Sequence, residues 1–377
     1  MSWKLSRFRA GDLVEVRSRE EILGSLDGTG RLDGMPFMPE MLQFCGQRLR
    51  VSAVAHKTCD TARQTWKGRR LKRSVHLAGA RCDGSAHGGC QAECNLFWKD
   101  EWLTLVHENG KASTRAATVA NPASGPCTEA ELMANTRLTS SADEEEVRYS
   151  CQATKMYEAT EPLPWWDVRQ YLFDVVTGNH SAGRVLRVVF LASLRLLLPW
   201  VPYGYRIFKR FHDRTHQRLS GRASPSLDGQ IPDGASTPTA KLALKPGEYV
   251  RIKTQAEIER TIDKRGKNRG LSFDPEEMAP YCGRNFRVRK AVTKIIDEPT
   301  GKMLTMKQPC IMLEGVMCRA EYARDRLNCP RAIPSYWREI WLERVKNDES
   351  PTTRERCRES VTLSTPKRPR WRQIFVC

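Results

Sequence analysis

Residues 11–41, GDLVEVRSREEILGSLDGTGRLDGMPFMPEM, lie over residues 247–277, GEYVRIKTQAEIERTIDKRGKNRGLSFDPEE, and this pairing decides how the 377-residue chain is read. After a one-residue insertion the match resumes, with FCGQRLRVSAVAHKTCD (Phe44–Asp60) over YCGRNFRVRKAVTKIID (Tyr281–Asp297). LAGARC ending at Cys82 then meets LEGVMC ending at Cys318, and WKDEWLTLV from Trp98 meets WREIWLERV from Trp337. Ordered matches over about a hundred residues point to two copies of one unit.

Within each copy a turn glycine precedes an alternating apolar run, and LRVSAV and FRVRKAV alternate again, which is the pattern of strands with one buried face. SREEILGSLD and TQAEIERTID each open on a Ser or Thr N-cap and supply a short helix. Short strands at close spacing with one short helix predict a small, strongly bent antiparallel barrel. The openings GDLVEV and GEYVRI resemble the first strand of SH3-like barrels, KOW-type modules included. That resemblance implies a mainly β chain with an α insert: tandem duplicated small SH3-like β-barrel domains linked by a helical middle segment. It implies no one activity, because small barrels host many.

The chain divides accordingly into a first repeat (1–106), a flexible linker (107–160), a basic amphipathic helical segment (161–218), a second linker (219–244), a second repeat (245–346) and a basic, disordered tail (347–377). The first linker contains the small, polar run GKASTRAATVANPASGPC, and the second contains SGRASPSLDGQIPDGASTPTA. The helical segment interleaves arginines with apolar and aromatic residues, and Pro199 and Pro202 should interrupt it. Its longest uncharged stretch, Leu196–Tyr205, is ten residues with two prolines, far short of the roughly 20 that a bilayer requires, so no transmembrane span is expected. The segment either packs its apolar stripe on the repeats with the arginines outside, or docks on a membrane surface or a partner.

Composition narrows the partners. A formal charge of +18, heaviest in the second repeat, favours an acidic partner protein, an anionic membrane surface or nucleic acid. MSWKLSRFRAGDLVEV has no apolar run behind its basic residues, so the expected location is cytoplasmic, with peripheral membrane attachment. In that compartment clustered cysteines read as buried apolar residues, reactive thiols or metal ligands before disulfides.

Thirteen cysteines make this the chemically richest feature. Three recur in both copies: Cys45, Cys82 and Cys90 in the first, Cys282, Cys318 and Cys329 in the second. Zinc wants four tetrahedral ligands drawn from Cys and His. In the first copy the fourth ligand could be Cys59, His76, His87 or Cys94, which gives the candidate set Cys45, Cys82, Cys90, His87 and Cys94. The second copy has no histidine, so Cys310 would complete Cys282, Cys318 and Cys329. An iron–sulfur cluster is the alternative, although the spacing matches neither common ferredoxin run. The loop CDGSAHGGCQAEC (Cys82–Cys94) also holds residues that the first copy alone carries, Asp83, His87, Glu93 and Cys94. Of these, His87 and Cys94 are the candidates for catalysis as a thiol beside an imidazole.

Three functions follow as expectations. The first is a non-catalytic binding or adaptor protein, stabilised by zinc and docking on a partner or membrane surface through the basic insert. The second is a metal- or thiol-dependent enzyme with its site in the first repeat. The third is nucleic-acid binding. The paired Trp98/Trp102 and Trp337/Trp341 read as core rather than as a base-stacking platform.

Overall fold

The computed structural model describes residues 3–106, 127–138, 147–197, 205–220, 226–232, 234–321 and 324–345. The expected tail 347–377, the two prolines of the helical segment and parts of both expected linkers lie outside the described residues.

Two five-stranded antiparallel sheets organise the chain, and they carry the same strand order. In the first, Leu13–Val16 lies between Arg48–Val54 and Leu103–Leu105, and Ser74–Leu77 then leads out to the edge pair Trp98–Lys99. In the second, Tyr249–Ile252 lies between Asn285–Ile296 and Leu342–Arg344, followed by Met303–Met317 and Pro334–Trp337. The registers agree as well: Val14 pairs with Leu49 and Leu105, and Val250 with Phe286 and Arg344. Gly11 and Gly247 hold left-handed φ values of 94° and 91°, and each donates its N–H across to the second strand, to Val51 and Val288 respectively. A side chain there would be strained, which is why both runs open on glycine.

Local chemistry explains the elements between the strands. Ser18 with Glu21, and Thr254 with Glu257, close reciprocal capping boxes on five-residue helices. Ile22 and Ile258 point inward from those helices. Asp27 and Asp263 then order a turn that leads to Phe37 and Phe273, whose rings pack edge-on against the invariantly placed tryptophans, Phe37 at 5.1 Å from Trp102 and Phe273 at 5.8 Å from Trp341. Trp98, Trp102, Trp337 and Trp341 are all fully buried. They are core, as the sequence predicts, although they sit on strand and 3-10 turn rather than on one helical face.

Two expectations need correction. The fold is mixed rather than mainly β, with 24% helix and 29% strand, and among the described residues none of the sheets closes into a barrel. The edge strands Trp98–Lys99 and Leu103–Leu105 are two and three residues long, too short to zip a seam between them. A three-residue 3-10 turn, Asp100–Trp102, nevertheless joins the two opposite edges, so each sheet must curl strongly. The second correction concerns residues 107–160. Among those described, Cys127, Leu132, Cys151, Ala153 and Met156 are buried in the first core, and Thr128 caps a helix over Glu129–Ala134. This stretch belongs in good part to the first module.

The middle segment is anchored by polar groups. Asp174, on the helix Arg169–Val176, accepts a 2.7 Å bond from the buried Lys57 ammonium and faces His56 at 3.3 Å. Asn179 bonds both backbone groups of Val54. Because Gln170, Asp174 and Thr177 must face the first sheet, Val168, Leu172 and Val176 are turned to solvent. Two longer helices follow, Ala182–Leu197 and Tyr205–Ser220. Among the described residues no helix is long and apolar enough to cross a membrane.

Candidate functional site

The loop Cys82–Cys94 is held by the first module and lies on the second. Asp83 and Gly84 turn the chain, and a Cβ at Gly84 would sit 2.0 Å from the Cys90 carbonyl oxygen, so only glycine closes the turn. Gly88 approaches the Tyr149 hydroxyl as closely, at 2.3 Å from an added Cβ. Glu40 is buried beneath the loop, where its Oε1 accepts from the Ala86 N–H at 3.1 Å and faces His87 Nδ1 at 2.6 Å. His87 Nε2 faces the Ser150 carbonyl at 3.0 Å. Both imidazole nitrogens are therefore committed, and His87 has no lone pair left for a metal or a thiol.

Beyond Gly88 the loop adds onto the second module's strand Asn285–Ile296. Lys294 Nζ donates to the Gly88 carbonyl at 2.8 Å, Gln91 N–H donates to the Lys294 carbonyl at 3.0 Å, and Ile296 N–H donates to Cys90 Sγ at 3.4 Å. Glu93 pairs with Arg289 and Lys290 at 2.5 and 2.8 Å. Burial opposes the charge on Glu93, and these two cations outweigh it, holding the carboxyl below its ordinary range.

The second module returns the contact. Its loop after Cys318 reaches the first module's strands Lys57–Cys59 and Gly68–Arg70. Arg331 donates to the Cys59 carbonyl at 3.4 Å and to Thr61 Oγ1, while its other nitrogen pairs with Glu298 at 3.1 Å. The Arg326 guanidinium lies over the Trp66 ring. Parts of the two contacts correspond. Cys90 meets Ile296, and Cys329, its counterpart, meets Cys59, which stands where Ile296 stands in the other copy. Glu277 accepts from the N–H groups of Arg319 and Ala320 as Glu40 accepts from Ala86. The two modules thus meet through a self-complementary seam like that of a two-fold dimer.

The predicted ligand sets divide differently. Cys45 lies among Arg19, Glu20 and Glu129, away from the loop. Cys82, Cys90 and Cys94 line one cavity of about 30 Å³ together with His87 and, from the segment read as a linker, Cys151. Cys282 stands near Glu259, Cys310 stands by Arg338, and Cys318 and Cys329 pack with Cys59 of the first module. Neither proposed four-ligand set assembles as drawn from the sequence, and among the described residues no three His, Cys, Asp or Glu side chains stand ready to hold a metal ion. Cys318 and Cys329 meet Cys59 across the seam, whereas the first group gains Cys151 from beyond the repeat itself.

Burial dominates the thiol chemistry. It pushes Cys82 and Cys94 far up, and Cys151 up to about 11, so these are neutral and poorly nucleophilic as they stand. Cys59 differs: the Cys329 thiol bonded to its sulfur brings it down to about 7 against burial, with Arg331 and Arg326 adding to the effect. Cys94 and His87 share the cavity but are not a nucleophile–base pair, since Glu40 and Ser150 occupy the imidazole. Sequence reasoning missed Cys151 and Arg331. Glu40 was visible only as a shared residue, and nothing local marked it as the support of a loop 46 residues on. Comparison with protein-family models, with curated proteins and with solved structures finds no match to this chain.

Proposed function

We propose that the chain is a non-catalytic binding protein, two SH3-like modules locked face to face, which attaches to an anionic membrane surface through its middle helices. The strand order, with opposite sheet edges joined through a 3-10 turn, supports the SH3-like reading. The seam supports the adaptor reading, because polar and thiol groups that could do chemistry are spent on joining the modules.

One observation carries the membrane docking: the helices turn large apolar side chains outward and set arginines around them. On Ala182–Leu197, Val185, Val188 and Leu191 face inward while Leu186, 70% exposed, and Phe190 face out beside Arg187. On Tyr205–Ser220, His212 and His216 are buried, while Ile207, 76% exposed, and Phe211 share the outer face with Arg210, Arg214 and Arg218. Exposed apolar residues one turn apart with cations on both sides fit an interface of acyl chains and anionic headgroups. Each basic residue near such a surface contributes about 1 kcal/mol, and that contribution is screened by salt.

Co-sedimentation of the full chain with vesicles tests this. Binding to phosphatidylserine-containing vesicles, weak binding to pure phosphatidylcholine, and loss on raising salt are expected. Phe190→Asp with Phe211→Asp, both at exposed positions, should reduce binding at least tenfold while the circular dichroism spectrum is retained. Equal binding by the double variant, or no vesicle binding alongside capture of an acidic protein or of nucleic acid, overturns the membrane reading.

A further inference from the structure

We propose that Cys82, Cys90, Cys94 and Cys151 form a four-thiolate site for a divalent cation of the zinc class, which fastens the glycine-rich loop to the turn at Cys151 where the first module meets the second. The four thiols line one cavity of about 30 Å³, the size suited to a single small ion or water. Three belong to the glycine-rich loop, and the fourth is at the turn that begins at Cys151 and packs in the first core.

Burial holds Cys82, Cys94 and Cys151 neutral as they stand, so the cation's charge drives their ionisation on binding. Ile296 N–H donates to Cys90 Sγ at 3.4 Å from the second module, and such outer contacts orient metal-bound cysteines. Binding releases four thiol protons to water and leaves a net charge of minus two on the site. Arg81 and Arg331, both felt by the Cys94 sulfur, stand to balance it. Because the four side chains do not converge in this structure, coordination takes rotation of their sulfurs into the cavity.

The same geometry says why His87 and the second thiol group are excluded. His87 lines the cavity with both nitrogens already engaged. On the other side of the seam Cys318, Cys329 and Cys59 gather, but the strand that bonds back to Cys318 does so through Ile333, where the first copy has Cys94 bonding back to Cys82. That group has three thiols and an isoleucine. Soft divalent metals with tetrahedral preference select sulfur sets of four.

The test is elemental analysis of the tag-free full chain, purified without chelator, with cobalt(II) exchanged into it. About one zinc per chain and an intense thiolate-to-cobalt charge-transfer absorption are expected. Cys151→Ser and Cys94→Ser should each lose the metal at least tenfold more readily to a competing chelator, whereas Cys45→Ser and Cys282→Ser should keep it. Should the cavity variants fail to fold, the cobalt spectrum of the unaltered chain still decides, since four thiolates and a mixed sulfur–nitrogen set differ in band intensity. A chain that holds no zinc and takes up no cobalt overturns the proposal, as does a folded Cys151→Ser chain with unchanged affinity.

Discussion

The two loops that follow Cys82 and Cys318 occupy equivalent places in their modules and cross the same seam in opposite directions, yet they hold it by different physics. The first loop spreads its hold over many contacts. Its glycines let Cys90, Gly88 and Gln91 approach the strand Asn285–Ile296, where main-chain bonds at Gly88 and Gln91 are joined by the side chains of Cys90, Gln91 and Glu93. The second is built on one buried cation, Arg331, which binds the first module's Cys59 carbonyl and Thr61 and its own module's Glu298. A duplicated unit has therefore diverged where its copies touch, while the strands and tryptophans behind the touching surfaces have stayed alike.

The largest effect should come from the first loop. Gly84→Ala places a methyl 2.0 Å from a carbonyl oxygen at a residue with φ of 73°, so turn and seam cannot both survive. A loss of more than about 4 kcal/mol in chemical denaturation is expected. Gly283→Ala, also at positive φ but with nothing within 4 Å, should cost only about 1 kcal/mol. Equal losses would mean that the loop's close approach does not matter. On the other side, Arg331→Met leaves Glu298 without its cation at a largely buried place, and a loss of about 3 kcal/mol is expected. Lys294→Met, removing a partly exposed cation from a carbonyl, should cost about 1 kcal/mol. If the two sides respond alike, the contrast between a hold spread over many contacts and one centred on a single cation is wrong.

What the sequence made legible follows from the range of the forces involved. Paired alternation after Gly11 and Gly247, the capping serine and threonine, and the tryptophans report local geometry and burial, and these recur in the structure at the positions expected. The seam is long-range. Nothing near Cys90 indicates Ile296, and nothing near Cys151 indicates the loop it faces, because that placement depends on a fold of several elements. Which face of the helix Arg169–Val176 turns inward was unreadable for a related reason. Its apolar residues suggest an inward face, but the buried Lys57 demands Asp174 opposite it, and one unpaired buried charge outweighs three exposed aliphatic side chains.

A smaller contrast concerns acid. His76 in the first module occupies the place of Met312 in the second and is fully buried, with Nδ1 on the Leu96 carbonyl at 2.8 Å and Nε2 unbonded against the Phe97 ring. Burial depresses its pKa from 6.5 to about 4, only partly offset by the Leu96 bond. The folded state therefore refuses a proton that the unfolded chain accepts below 6.5. Stability contributed by the neutral ring is present above that value and is lost as the pH falls toward about 4, by about 3 kcal/mol when complete. His180, also brought down to about 4 chiefly by burial, acts in the same direction from the middle segment. Replacing His76 by the methionine of the other module, His76→Met, should leave stability at pH 7 within about 1 kcal/mol and flatten roughly half of the decline between pH 6.5 and 4. Urea midpoints across that range measure it, and a variant with the parent's full acid sensitivity would show that the decline arises elsewhere.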